Sequence, residues 1–258
     1  MKVALYQMQI VWEDKKANLG KLEKQLKAAS EQKVELILLP EMSYTGFSMN
    51  TEVTKEEGIF GASVAETARL ARKYRIAVGF GWVKACGEKC ENHYTVVNKD
   101  GEVISDYAKL HPFSYSGEDE KFYGGERLTA FSLEGIPFSG FICYDLRFPE
   151  IFQRVSESAH VIMVPANWPA RRSHHWKALL QARAIENQVY LLGINCVGMM
   201  DGLYYSGDSC VISPDGQILC ELHDEEGILI CDLSDDVMQY RSAFPVKQDR
   251  REVLYRQL

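Results

Sequence analysis

No run of apolar residues approaches the ~20 that a membrane-spanning helix needs, and the apolar opening, residues 1–10, is broken by Gln7 and Gln9. A secretory leader wants an unbroken apolar stretch of ~7–15 residues before a small-residue cleavage site, and neither is visible. Basic residues are in the minority, 29 Lys plus Arg against 36 Asp plus Glu, for a formal charge of −7. That balance argues against a nucleic-acid or anionic-membrane surface, both of which need a basic face. The seven cysteines are an odd number scattered through apolar segments, which suits reduced thiols better than a disulfide framework. A cytoplasmic protein is expected. There is also no linker-like or low-complexity stretch. What remains is a globular composition, 46% hydrophobic and 25% charged over 258 residues, enough for one large domain or two small ones.

Strand and helix patterns alternate along the chain. Residues 2–10 read as a strand, and 14–33 as a helix with Leu19, Leu22, Leu26 and Ala29 along one face. The continuous apolar run 34–39 reads as a strand buried on both faces. A helix over 62–74 leads to a strand at 76–83. Strands at 92–98 and 102–107 are joined through Asn98-Lys99-Asp100-Gly101, a hairpin signal. The second half repeats the order: strand 137–143, helix 148–157, strand 160–164, helix 173–187, strand 189–195, and a hairpin over 209–222 turning at Ser213-Pro214-Asp215-Gly216. Pro40 and Pro165 close the equivalent second strands. Two βαβαββ halves can stack their sheets face to face with helices outside. The expected architecture is therefore α/β, a four-layer α-β-β-α sandwich in a single domain over 1–258. The charged tail from about 244 to 258 is either an interface arm or a frayed end.

Cys143 ends the apolar segment 138–143 and precedes a turn into a helix. A nucleophile on a strand-to-helix turn is held clear of the sheet beside free backbone N–H groups, and positive potential at a helix start favours thiolate. The alternative is a structural core cysteine. Glu41 follows the buried run Leu36-Ile37-Leu38-Leu39-Pro40, at the sheet edge where open α/β proteins place ligands. Burial there raises a carboxyl pKa toward that of a workable base; otherwise Glu41 is a solvated loop residue. Lys109 closes the strand 103–108, and Glu118 lies nine residues on in a loop dense with Gly, Ser, Asp and Glu. Both also read as surface residues.

Leu38-Leu39-Pro40-Glu41, Tyr107-Ala108-Lys109-Leu110-His111-Pro112-Phe113 and Cys143-Tyr144-Asp145-Leu146-Arg147-Phe148-Pro149-Glu150 resemble the signature segments of the carbon–nitrogen hydrolase (nitrilase) superfamily, in order and spacing. The likeness extends to Pro165-Ala166-Asn167-Trp168-Pro169, His175-Trp176, Ala182-Arg183-Ala184-Ile185-Glu186-Asn187 and Gly207-Asp208-Ser209, and so covers nearly the whole chain. It implies the same sandwich fold, commonly dimeric, and a catalytic Glu-Lys-Cys triad at Glu41, Lys109 and Cys143, with Glu118 matching a further family glutamate. The residues after Cys143 resemble the small amidase branch rather than the true nitrilases, and residues 182–188 followed by Gly193-Ile194-Asn195-Cys196-Val197-Gly198 are most similar to bacterial omega-amidases. Those enzymes hydrolyse the ω-amides of 2-oxo dicarboxylic acids such as 2-oxoglutaramate. Deaminated-glutathione amidases share much of this pattern, and N-carbamoyl amine hydrolases and nitrilases use the same triad. A catalytically silent binding homologue is the non-enzymatic alternative.

The resemblance implies a thioester mechanism in which Glu41 takes the Cys143 proton. Lys109 and the backbone N–H of Tyr144 stabilise the oxyanion, and Glu118 holds Lys109. The partners implied are a small amide, water and a second copy of the chain, with no cofactor. Trp168 is a candidate pocket wall or a core residue. Arg171 and Arg172, ahead of a helix start at Ser173, form a candidate carboxylate site or a plain surface pair. Arg147 and Glu150 are expected to form an ion pair that orients the turn. Met199-Met200 reads as a loop. His174 and His175 suggest a Cys-His hydrolase, yet no Asn or Asp orienter is evident. Cys86, Cys90 and His93 have metal-like spacing but lack a fourth ligand, so no metal is expected.

Overall fold

Along strand Lys2–Gln7 successive side chains leave on opposite faces, and both faces are apolar. Val3 and Leu5 enter one core while Ala4 and Tyr6 enter another. A strand apolar on both sides must be covered on both sides, and this one is. The computed structural model describes residues 1–234 and 236–255, of Phe60 and Glu252 the backbone alone. Its first sheet runs, in spatial order, Gly227–Asp232, Lys2–Gln7, Leu36–Leu38, Ala77–Cys86, Lys89–Val97 and Val103–Ala108. The second runs Val197–Met200, Leu203–Ile212, Tyr190–Asn195, Val161–Ala166, Ile136–Gly140 and Ala130–Leu133, with Ile218–His223 also paired to Leu203–Ile212.

Each sheet holds a parallel trio. Lys2–Gln7, Leu36–Leu38 and Ala77–Cys86 are linked through helices Lys15–Glu31 and Ala62–Tyr74. Ile136–Gly140, Val161–Ala166 and Tyr190–Asn195 are linked through Pro149–Val155 and Ser173–Asn187. The first helix starts where Asp14 accepts the Ala17 N–H at 2.9 Å, a side-chain N-cap. It buries Leu22, Leu26 and Ala29 against the outer face of its sheet, where Ile37, Val78 and Phe80 lie. One core cluster joins Leu36, Leu38 and Val96 of the first sheet to Phe138, Ile162 and Val164 of the second, and includes Trp176, Leu180 and Ala184 of the long second-half helix. The α-β-β-α order expected from the repeated pattern is the order found.

Four features depart from the expected elements. Strands 76–83 and 92–98 are longer than their patterns suggest and form one hairpin, with Val78 opposite Val97 and Cys86 opposite Lys89. Strand Gly227–Asp232 leaves the second half and pairs antiparallel with Lys2–Gln7, so the halves are not independent. Met199 and Met200 belong to strand Val197–Met200, paired with Leu203–Ile212, rather than to a loop. Pro165 lies within its strand instead of ending it. The neighbour Ile136–Gly140 pairs only as far as Met163, so the missing proline N–H costs no ladder bond on that side. Helix Val237–Ala243 precedes the tail, the short helices Val246–Asp249 and Glu252–Tyr255 lie within it, and residues 256–258 lie outside the described residues.

Candidate active site

Glu41, Lys109, Cys143 and Asn167 each follow the end of a strand, two in each sheet, so the site forms where the sheets' edges meet. Glu41 is carried past strand Leu36–Leu38 by close contact with Gly81. A Cβ on Gly81 would sit 2.2 Å from the Met42 nitrogen and 2.9 Å from the Glu41 carbonyl carbon, so only glycine lets the two backbones approach this closely. Cys143 has φ +48, a left-handed conformation that a non-glycine residue adopts at a cost of ~1–3 kcal/mol. That bend turns the chain out of strand Ile136–Gly140 into the short 3₁₀ helix Cys143–Arg147. The Tyr144 N–H, in the first turn, has no intrahelical acceptor.

Beneath this turn lies a cluster of charges sealed from water: Glu41 and Glu118 are each 0% exposed and Lys109 is 1%. The Lys109 ammonium donates to Glu41 Oε1 at 2.9 Å and to both Glu118 oxygens, at 3.1 and 2.8 Å. Asn92 Nδ2 bridges the carboxylates, reaching Glu41 Oε1 at 2.8 Å and Glu118 Oε1 at 3.1 Å. Glu118 also accepts the Phe113 N–H at 2.5 Å. The second Glu41 oxygen accepts the Asn167 backbone N–H at 2.9 Å. Burial works to lower the Lys109 pKa, but Glu118 and Glu41 outweigh it and hold the ammonium charged. Burial raises the Glu118 carboxyl above its usual range, against the pull of Lys109.

The Cys143 thiol hydrogen-bonds the Asn167 carbonyl oxygen at 4.0 Å, with the Glu41 carboxylate close enough to act on its pKa. It is partly exposed to the cleft, yet dense protein surrounds it on the other sides. Burial, and then the neighbouring Glu41 carboxylate, push the thiol well above the ordinary cysteine range, with Lys109 offsetting only part. The thiolate expected from the helix start is therefore not the resting state. The short helix contributes too little to overcome desolvation and an adjacent negative charge.

Above Cys143 opens a cleft of about 300 Å³, lined by Lys109, Tyr144, Asn167 and Trp168 as well as Cys143 itself. Trp168 serves both readings: it faces the cleft, and it is 3% exposed, with its indole N–H on the Arg172 carbonyl at 2.8 Å and its ring near Trp176. Arg171 and Arg172 are on the wall, joined by Arg147. Arg172 lies over Phe113 and Tyr115, at 5.4 and 5.9 Å from the ring centres. Burial, followed by repulsion from Arg171 and Arg147, lowers its pKa. Arg147 does not pair with Glu150. Its guanidinium lies 4.6 Å over the Trp168 ring and 3.4 Å from His175 Nδ1, on the cleft side of the turn. That contact uses His175, and the Cys143 thiol hydrogen-bonds the Asn167 carbonyl instead. His93 hydrogen-bonds Asp106 and Glu91 in the first sheet.

Sequence reasoning missed the asparagines. Asn92 spans two carboxylates. Asn167 orients Glu41, and Asn195 accepts the Trp168 N–H at 2.8 Å while donating to its carbonyl at 3.0 Å. Asn92 had no signal beyond a polar residue inside an apolar strand, and Asn167 and Asn195 stood within recognised segments without a distinguishing context. Among the described residues, no helix is long and apolar enough to cross a membrane.

A family model described as carbon–nitrogen hydrolase matches residues 2–242. The chain is 33% identical to a 2-oxoglutaramate amidase of Bacillus subtilis (strain 168), over 86% of each chain. It is 34% identical to the omega-amidase YafV of Escherichia coli (strain K12), over 98% of this chain and 97% of the relative. Its fold matches an amidase from Nesterenkonia sp. AN1 with TM-score 0.89 and 29% identity, covering 100% of this chain and 96% of that one. In that structure, of a glutamate-to-glutamine mutant, the acetamide moiety of fluoroacetamide is covalently added at the active site cysteine. By its motifs, its paired sheets and these matches, the chain belongs to the carbon–nitrogen hydrolase family.

Proposed function

We propose that the chain hydrolyses the ω-amide of a small 2-oxo dicarboxylic acid, with 2-oxoglutaramate as the type, to the carboxylate and ammonia. The observation that carries this reading is a cysteine thiol beside a buried carboxylate–lysine pair, at the floor of a cleft whose wall bears three arginines. A thiol kept protonated needs a base at the moment of attack, and Glu41 is the neighbouring carboxylate that acts on its pKa. The guanidiniums suit a substrate with a carboxylate at the far end from its amide. The names of the relatives point to the same substrate class.

In this mechanism the Cys143 sulfur attacks the amide carbon as its proton passes to Glu41. The carbonyl π electrons move onto oxygen, and the Tyr144 N–H and the Lys109 ammonium hold the oxyanion. Removing one such donor typically costs ~10²–10³ in rate. The oxyanion then collapses, the C–N bond breaks, and protonated Glu41 gives its proton to the departing nitrogen, which leaves as ammonia. A thioester remains on Cys143. Glu41 takes a proton from water as the water oxygen attacks the thioester carbon, the C–S bond breaks, and the sulfur regains its proton. Glu118 is the counter-charge that keeps Lys109 in place, and Trp168, Arg171 and Arg172 are assigned to substrate binding. The protein is read as a single-domain cytoplasmic homodimer. Exposed apolar side chains in the tail, Phe244, Val253 and Tyr255 among them, support the tail as an interface arm.

The test is ammonia release from a panel of ω-amides, deaminated glutathione, N-carbamoyl amines and nitriles. 2-Oxoglutaramate should give the highest kcat/KM, with none from Cys143→Ala. Faster turnover of a nitrile or carbamoyl compound overturns the substrate class, and undiminished turnover by Cys143→Ala overturns the mechanism.

A further inference from the structure

The candidate nucleophile and the candidate oxyanion-holding lysine come from different sheets. Strand Val103–Ala108 of the first sheet delivers Lys109, and Ile136–Gly140 of the second leads to Cys143. Packing of apolar faces alone tolerates small sliding, whereas chemistry between two groups does not. A specific polar tie is needed between the two segments, and Asp145 provides one.

Asp145 is 0% exposed, two residues past Cys143. Its Oδ1 accepts the His111 backbone N–H at 3.0 Å and His111 Nδ1 at 2.7 Å. Its Oδ2 accepts the Tyr107 hydroxyl at 2.8 Å and the Ile142 backbone N–H at 3.1 Å. Tyr107 and His111 flank Lys109 on either side, and Ile142 immediately precedes Cys143. The His111 ring is further fixed by stacking on Phe148, with centroids 3.8 Å apart and planes at 15°. One carboxylate thus grips the chain before and after Lys109 and the residue before Cys143.

We propose that Asp145 is a positioning residue that sets the Cys143 turn against the Lys109 segment. This rests on the reading of Cys143 and Lys109 as the reacting pair. A carboxylate suits the place because all four neighbours donate and it offers acceptors only. An amide would present N–H₂ to donors on one side and leave a buried donor unmatched. A displacement of about 1 Å between reacting groups costs on the order of 10² in rate, so the effect is expected in kcat and not in substrate binding.

The experiment uses Asp145→Asn, Tyr107→Phe and the double variant, with two readouts. The first is steady-state hydrolysis of 2-oxoglutaramate. Asp145→Asn should lower kcat about 100-fold with KM little changed. Tyr107→Phe should lower it less, and the double variant should be no worse than Asp145→Asn alone, because both break the same tie. The second needs no substrate: the pH dependence of Cys143 alkylation by iodoacetamide, followed by mass spectrometry. With Lys109 displaced, the alkylation limb should move to higher pH. If wild type hydrolyses none of the panel, the substrate reading fails while alkylation still judges the tie. Wild-type kcat with an unshifted alkylation profile in Asp145→Asn overturns the proposal, as do additive losses in the double variant. If Asp145→Asn does not melt cooperatively, Tyr107→Phe decides by the same two readouts.

Discussion

The Lys109 ammonium meets the Glu118 carboxylate at both of its oxygens, 3.1 and 2.8 Å away, with both side chains closed to solvent. Glu41 holds the same ammonium at 2.9 Å, so two carboxylates surround one cation. The burial that raises the Glu118 pKa favours a proton shared within the group over full ionisation. The arrangement makes the lysine permanent and leaves Glu41 answerable to Cys143.

Replacing Glu118 by Gln removes one counter-charge and keeps the shape. Breaking one side of a buried ion pair typically costs ~3–5 kcal/mol, and the urea midpoint should fall accordingly. Activity should drop as well. With Lys109 drawn toward Glu41, kcat/KM is expected to fall at least about tenfold, equivalent to ~1.4 kcal/mol of transition-state stabilisation. Wild-type kcat/KM in Glu118→Gln removes the role assigned to it.

Cys143 gives a pH prediction with a definite sign. Its folded-state pKa is raised by burial and by Glu41, while in the unfolded chain it titrates near ~8.5. The folded state therefore keeps a proton that the unfolded state gives up. The stabilising contribution is whole below about pH 8.5 and is lost as pH rises through the folded-state pKa. Wild type should lose stability between about pH 8.5 and 10 more steeply than Cys143→Ser. Urea titrations of both proteins across that range check this, and parallel curves sink it.

Most of this site was legible because its residues sit at strand ends, where an apolar run stops at a reactive side chain: Leu39-Pro40-Glu41, Ala108-Lys109, Ile142-Cys143. Period and punctuation reveal such places. What they do not reveal is pairing between segments far apart in the chain. Strand Gly227–Asp232 lay beyond the repeated pattern, and nothing local says that it will lie beside Lys2–Gln7. What outweighs the pull toward thiolate at Cys143 was hidden for a related reason. The helix start is visible in sequence, but the desolvation and the Glu41 charge that override it come from the other sheet. Arg147 likewise faces Trp168 across the cleft rather than its near neighbour Glu150.

Gly81 tests how much of Glu41's placement is backbone contact. A Cβ there would press the Met42 nitrogen at 2.2 Å and the Glu41 backbone at 2.9 Å, and backbone cannot swing aside as a side-chain tip can. Gly81→Ala should push Glu41 away from Cys143 and Asn92. Activity should fall by about tenfold or more, and the melting temperature with it. A Gly81→Ala enzyme with wild-type kcat and melting temperature would mean that the segment yields without moving the carboxylate.

The arginine wall offers a test that separates substrate binding from chemistry. Arg172 is set on Phe113 and Tyr115 with Arg147 and Arg171 close enough to lower its pKa, so this corner carries excess positive potential that an anionic substrate relieves. A hydrogen bond to a charged group is worth ~1.5–3 kcal/mol, or about ten- to a hundredfold in affinity. Arg172→Ala should therefore raise KM for 2-oxoglutaramate by about that factor with kcat largely kept, because the contact is made equally in ground and transition states. A neutral amide of similar length, such as butyramide, should show no such change. Equal losses on both substrates would place Arg172 in the packing of the wall and leave the carboxylate to be bound elsewhere.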